Sequence, residues 1–192
     1  MDKFRFEPFD LKGPLLIKTH RFGDPRGYFV ETYNALAFIA AGIDAVFLQD
    51  NQSLSEQRGI VRGLHYQHPP LAQAKLVRVL KGAIYDVAVD IRVGSPSYGC
   101  WCAATLTADN GEQLFVPRGF AHGFCTLEAG TEVAYKVDNP YSAENEGGIF
   151  WADPHLRIDW PVTTSEAIVS SKDATLPQLA HVVSPFFTEE VF

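Results

Sequence analysis

The chain has 192 residues, 46% hydrophobic and 20% charged, the make-up of a soluble globular protein long enough for one domain with a sizeable core. Its 16 Lys plus Arg against 23 Asp plus Glu give a formal net charge of -7, which argues against a nucleic-acid partner. The start, MDKFRFEPFD, lacks the basic and apolar regions of a signal peptide, and the most apolar run, AFIAAGIDAVFL at 37–48, is too short to cross a bilayer, so a cytoplasmic protein with no membrane partner is expected.

Along the chain, aromatic and β-branched runs are broken at short intervals by Gly, Pro and Asn. They mark candidate strands at 15–22, 28–33, 45–54, 60–66, 75–80, 83–92, 100–107, 112–117, 122–128 and 132–138. The connections are tight (LKGA, GSPSYG, DNGE, EAGTE), which argues for an all-β antiparallel sandwich or barrel. Only NALAFIAAG at 34–42 has a helical pattern, with Gly42 as its C-terminal stop. Beyond Trp160 the pattern weakens to short helical turns packed on the barrel. With no repeat or linker, residues 1–192 read as one domain, its barrel core at about 45–140. Cys100, Cys102 and Cys125 are odd in number and form no CxxC pair, so they read as small buried hydrophobes.

The segment RGLHYQHPPLAQAKLVR at 62–78 gathers cationic and imidazole side chains within an acidic protein. A strand period of two puts Lys75, Val77 and Val79 on one face, and separates Arg62 from His65. Spacing alone favours a Lys75 that begins the strand and reaches outward, and a His65 that is a hydrogen-bonded core residue. A metal site is disfavoured: the histidines at 20, 65, 68, 122, 155 and 181 contain no HxH pair, and Pro69 and Pro70 end the strand directly after His68.

The run QDNQSLSEQRGIVRGLHYQHPPLAQAKLVRVLKGAIYDVAVDIR, followed in order by VPRGFAHGF, EVAYK, GIFWADP and SSKD, closely resembles the dTDP-4-dehydrorhamnose 3,5-epimerase family from about residue 10 to 185. The resemblance implies a jelly-roll, cupin-type antiparallel β-barrel with short flanking helices and no metal or other cofactor. It implies an enzyme acting on a dTDP-4-dehydro-6-deoxyhexose at the two carbons flanking the C4 ketone. Removing either hydrogen leaves an enolate, so the reaction needs a base on one face, an acid on the other and a cation at the oxygen.

By that resemblance His65 is the base, Tyr135 the acid, Lys75 the cation and Asp173 the partner of the base. Without it, Asp173 would read as a surface carboxylate or a cap beside Ser170 and Ser171. The resemblance further implies that Arg62, Arg26 and Lys172 clamp the diphosphate, and that Gln49, Asn51 and Glu31 meet thymine, ribose and sugar hydroxyls. His122 is expected beside the sugar, Tyr141 and Phe29 as aromatic faces for thymine, and Glu146 at another binding position. Arg62 and His65 reach one pocket only if the strand bulges at Gly63. A homodimer is implied, with the 28–33 strand exchanged so that Phe29 or Glu31 approaches the partner's pocket. A single-carbon epimerase and a non-catalytic sugar-nucleotide-binding cupin are the competing readings.

Overall fold

Alternating short runs leave each strand one apolar face to bury, and in the computed structural model, which describes residues 2–188, two antiparallel sheets bury those faces against each other. The first sheet holds, in spatial order, β1 (Phe4–Pro8), β2 (Leu15–Thr19), β10 (Gln113–Val116), β7 (Lys75–Lys81), β12 (Thr131–Val137) and β5 (Gln49–Ser55). The second holds β13 (Glu146–Gly148), β6 (Ile60–Gln67), β11 (Phe120–Thr126), β8 (Ala83–Asp90) and β9 (Trp101–Thr107). A two-residue strand, β14 (Ile168–Val169), runs parallel to β6, and β3 (Arg21–Asp24) pairs with β4 (Gly27–Val30) as a separate hairpin.

Val77, Val79, Leu114 and Val133 from the first sheet meet Ile84, Ala88, Leu106 and Phe124 from the second. Full burial of side chains of this size contributes about 1.5–3 kcal/mol each. The far face of the second sheet is covered by the C-terminal segment, where Leu156, Leu179 and Phe186 pack on Leu64, Val87, Val89 and Ile91. On the far face of the first sheet lies α1 (Ala35–Ala40), whose buried Phe38 meets Ile17, Leu76 and Phe115. The Asn34 side chain accepts the Leu36 and Ala37 N–H groups, and Gly42 takes a φ of 85° just past the helix, as capping requires.

All ten expected runs contain a strand; 83–92 ends at Asp90, 122–128 is displaced to Phe120–Thr126, and three others differ more in extent. The 15–22 run breaks at His20 into β2 and β3, 28–33 ends at Val30, and 45–54 begins only at Gln49. Three strands were not anticipated. β1 lies before the first expected run, but its Phe4 and Phe6 rings both pack against Phe38. β13 contains two glycines, which strand propensity disfavours; a Cβ on Gly147 would sit 2.5 Å from the Tyr66 ring, so close packing excludes larger residues there. β14 is too short to show a period. Cys102 and Cys125 are buried as expected, and burial pushes their thiols up to about 12 and about 11, whereas Cys100 is exposed.

Candidate active site

The site depends on an irregularity in β6. His122 pairs with His65 but Phe124 pairs with Arg62, so two steps on β11 face three on β6. The extra residue falls at Gly63, which has a φ of 129°, and the Gly63–Leu64 peptide is cis. A Cβ on Gly63 would lie 2.6 Å from Gly123 Cα, and one on Gly123 would lie 2.7 Å from Arg62 O. Both strands therefore need glycine where their backbones touch. The bulge expected at Gly63 is present, and Arg62 and His65 line the same cavity of about 500 Å³ between the sheets.

His65 Nε2 lies 2.7 Å from Asp173 Oδ1. With the carboxylate accepting, Nε2 carries the hydrogen and Nδ1 keeps a lone pair. Asp173 comes from α2 (Ser171–Ala174), a single turn in which Ser170 Oγ accepts the Asp173 N–H at 3.0 Å. The serine thus caps the turn while Asp173 itself is buried, and its Oδ2 accepts the Gly63 N–H at 3.3 Å. Burial pushes the Asp173 carboxyl up, but the His65 imidazole, the Gly63 N–H and the Ser170 hydroxyl together hold it below the usual range.

Lys75 opens β7 and points inward, its Nζ donating to His65 O at 3.3 Å. Desolvation pulls its ammonium down to about 8, with the Asp86 and Glu146 carboxylates opposing the fall. Tyr135 projects from β12, on the sheet opposite His65, and burial raises its phenol above the ordinary value. The hydroxyl is therefore protonated at neutral pH.

A second imidazole–carboxylate pair adjoins the first. His122 Nε2 lies 2.7 Å from Asp86 Oδ1, with both residues buried. Burial holds the His122 imidazole down more strongly than Asp86 raises it, so the ring is neutral near pH 7. Sequence reasoning missed Asp86. Its signal was a carboxylate inside the apolar run AIYDVAVDIR, since a charge on a strand buried on both faces needs a partner.

An adjoining recess of about 130 Å³ shares His65, Lys75 and Tyr135 with the main cavity and adds Asn51, Tyr141 and Glu146. Gln49 is not part of either wall: it donates to Asn51 Oδ1 at 2.7 Å and accepts the Tyr141 N–H at 3.2 Å. Its place is behind Asn51. Tyr141 donates to Glu146 Oε2 at 3.1 Å, and Lys172, which lines the main cavity, ion-pairs with the same carboxylate.

Three expected residues do not reach the cavity of their own chain. Arg26 is tied to Asp24 across the β3–β4 turn, Glu31 holds Lys3 at 2.5 Å and Asn34 at 2.8 Å, and Phe29 is 67% exposed. The hairpin that carries Arg26 and Phe29, with Glu31 just after it, pairs with no strand of either large sheet. Among the described residues, no three His, Cys, Asp or Glu side chains are grouped to hold a metal ion, and no helix is long and apolar enough to cross a membrane.

A base on one sheet, a phenol on the other and a desolvated ammonium beside them can abstract a proton next to a carbonyl and return it from the opposite side. The sequence model of the dTDP-4-dehydrorhamnose 3,5-epimerase family matches residues 8–181. The dTDP-4-dehydrorhamnose 3,5-epimerase of Sinorhizobium fredii is 48% identical over 186 residues, 97% of this chain and 95% of the relative. The fold superimposes on the crystal structure of the Bacillus anthracis dTDP-4-dehydrorhamnose 3,5-epimerase with TDP and PPi bound, with a TM-score of 0.88 and 47% identity, covering 91% of this chain and 99% of that one. It also superimposes on the Legionella pneumophila dTDP-6-deoxy-D-glucose-3,5-epimerase in complex with dTDP-4-keto-L-rhamnose, with a TM-score of 0.89 and 41% identity, covering 94% and 95%. The jelly-roll, cupin-type architecture expected from the sequence is borne out.

Proposed function

The chain belongs to the dTDP-4-dehydrorhamnose 3,5-epimerase family, and we propose that it inverts C3 and C5 of dTDP-4-dehydro-6-deoxy-D-glucose to give dTDP-4-dehydro-L-rhamnose for dTDP-L-rhamnose synthesis. The observation that carries the reading is that His65 and Tyr135 line one cavity from opposing sheets, with Lys75 in the same wall. His65 Nδ1 takes the proton from C3 or C5, and the electron pair moves onto the C4 oxygen. The Lys75 ammonium stabilises that oxyanion, and the Tyr135 hydroxyl delivers a proton to the opposite face of the same carbon. Asp173 stabilises the imidazolium as it forms.

Incubation in deuterated water tests the reading. Label entering both C3 and C5 is expected. Label at one carbon identifies a single-carbon epimerase, and no label at either identifies a binder without chemistry.

Arg62 and Lys172 offer cations to the diphosphate, which would draw Lys172 away from Glu146. His122 borders the sugar, while Asn51, Tyr141 and Glu146 line the recess beside it. Asp173→Asn is expected to lower kcat roughly 10- to 100-fold. The loss persists at every pH above the acid range, because the Asp173 carboxyl is already held below its usual value and does not titrate near neutrality. An unchanged rate would show that the carboxylate does not orient the base.

Arg26, Phe29 and Glu31 find their use in a homodimer. The hairpin and the residues following it extend to the partner and bring Phe29 or Glu31 to the partner's cavity. A chain that is monomeric at assay concentration contradicts this arrangement. So does a dimer in which both residues lie more than about 15 Å from the second cavity, beyond a Debye length at physiological salt.

A further inference from the structure

Lys75 is the first residue of β7, and in register it faces Val116 of β10 on one side and Val137 of β12 on the other. A strand end frays readily, because the chain before it has no ladder to hold it. Here the preceding residues are held by other means. Asp138, directly after Val137, is buried, and its Oδ1 accepts the Ala74 N–H at 2.7 Å. Its Oδ2 accepts from Arg118, Nε at 3.0 Å and Nη2 at 2.8 Å, and Arg118 stands two residues beyond Val116. One ion pair therefore crosses the entry of β7 from the two strands that flank it, and its carboxylate grips the residue next to Lys75.

Asn139 extends this clasp. Its Nδ2 donates to Ala72 O at 2.7 Å, and its carbonyl accepts from Gln73 Nε2 at 2.8 Å. A cleft of about 660 Å³, which shares no lining residue with the cavity holding Lys75, has Ala72, Ala74, Arg118 and Asp138 in its wall. The clasp thus stands between that cleft and the start of β7. Burial raises the Asp138 carboxyl against the pull of the Ala74 N–H and Arg118. A buried ion pair is a weak source of net stability, so fixed geometry is the better account of this one.

We infer that Asp138, braced by Arg118, is a positioning residue that fixes the entry of β7 so that the Lys75 ammonium stays in the cavity. The inference rests on the functional reading above for what the ammonium does, and on geometry alone for what keeps it there.

The test is Asp138→Ala, with Lys75 titrated by NMR of its 13C-labelled side chain, whose signal is identified by its loss in Lys75→Met. In the wild-type protein the ammonium titrates at about 8. The carboxylates that act on it, Asp86 of β8 and Glu146 of β13, and the His65, His122 and Tyr135 side chains that share its cavity are all left in place, so a shift reports solvation of the ammonium. The alanine variant is expected to move Lys75 up from about 8 toward 10.5, with the alkaline limb of kcat/KM following. Turnover should fall roughly 10- to 100-fold, in kcat and kcat/KM alike, as for a misplaced group that acts in the transition state. Asp138→Asn keeps an oxygen for the Ala74 N–H and should recover most of the lost turnover and the titration near 8. Lys75 still titrating near 8 in a folded alanine variant, whatever its melting temperature, would leave Asp138 a structural role only and overturn the inference. An asparagine variant as impaired as the alanine one would show that the bond to Ala74 does not hold the strand, and overturns it too. Asp138→Val, which also lacks the acceptor but fills the space, supplies the same readings if the alanine variant does not fold. If Lys75 shifts as expected but the wild-type protein exchanges no deuterium into the sugar, the epimerase reading fails while the clasp stands.

Discussion

Lys75→Met lowers kcat roughly 100- to 1,000-fold, the scale of losing one preorganised oxyanion donor, while the folded protein becomes more resistant to denaturant. Both effects follow from the desolvation that brings the Lys75 ammonium down from 10.5 to about 8. The protein keeps a cation where its charge is poorly solvated, and that same poor solvation strengthens its attraction for an enolate oxygen. Below about pH 8 the ammonium is present in both folded and unfolded chains, so its desolvation opposes folding there. Between about 8 and 10.5 the unfolded chain binds more protons, so this group's contribution to stability improves as pH rises through that window. Activity moves the other way: the ammonium is lost as pH rises past about 8, and kcat/KM, which reports the free enzyme, falls with it. The methionine variant should lack that alkaline limb and unfold at a higher urea midpoint, since a buried charge is replaced by an apolar chain of similar length. Wild-type kcat in the variant, or an alkaline limb persisting near 8, would remove Lys75 from the oxyanion role.

Lys75 also marks the limit of what could be read from the chain alone. Its alternation with Val77 and Val79 gave the face, and β7 keeps that alternation, but spacing alone favoured a side chain reaching outward, and the structure corrects this by turning Lys75 into the cavity. The position at the first residue of a strand left its ammonium free to turn to solvent, and only packing against β6 settles that. Arg62 and His65 present the opposite case. Ideal geometry set them on different faces, and their shared cavity depends on the backbone contact between Gly63 and Gly123, whose residues are far apart in sequence. Asp173 was legible through the family motif, yet as a local pattern it resembled the helix cap that Ser170 in fact supplies. Asp86 was missed because it became notable only through the histidine beside it on the neighbouring strand, which local spacing does not show. Arg26 and Phe29 on the β3–β4 hairpin, and Glu31 just after it, lie away from their own cavity, which only the family resemblance, with its exchanged strand, anticipated.

Tyr135→Phe and His65→Ala separate the two faces of the reaction. With Phe at 135, His65 still removes a proton and can return one to the face it came from, so solvent deuterium enters C3 and C5 with little inversion. With Ala at 65, the enolate does not form, and exchange and inversion fall together, by roughly 100- to 10,000-fold as for loss of a general base. The asymmetry arises because His65 stands on β6 of one sheet and Tyr135 on β12 of the other. A planar enolate held between them is reached by each group from its own side only. Burial raises the Tyr135 phenol, which keeps it a proton donor and prevents it from acting as a second base at neutral pH. A water occupying the space of the missing hydroxyl would restore some inversion, so the ratio of exchange to inversion is the quantity to measure. That ratio should rise sharply for Tyr135→Phe and stay near the wild-type value in whatever residual turnover His65→Ala retains. The opposite pattern, with exchange abolished by Tyr135→Phe and retained by His65→Ala, would reverse the assignment and place the departing proton on the Tyr135 side.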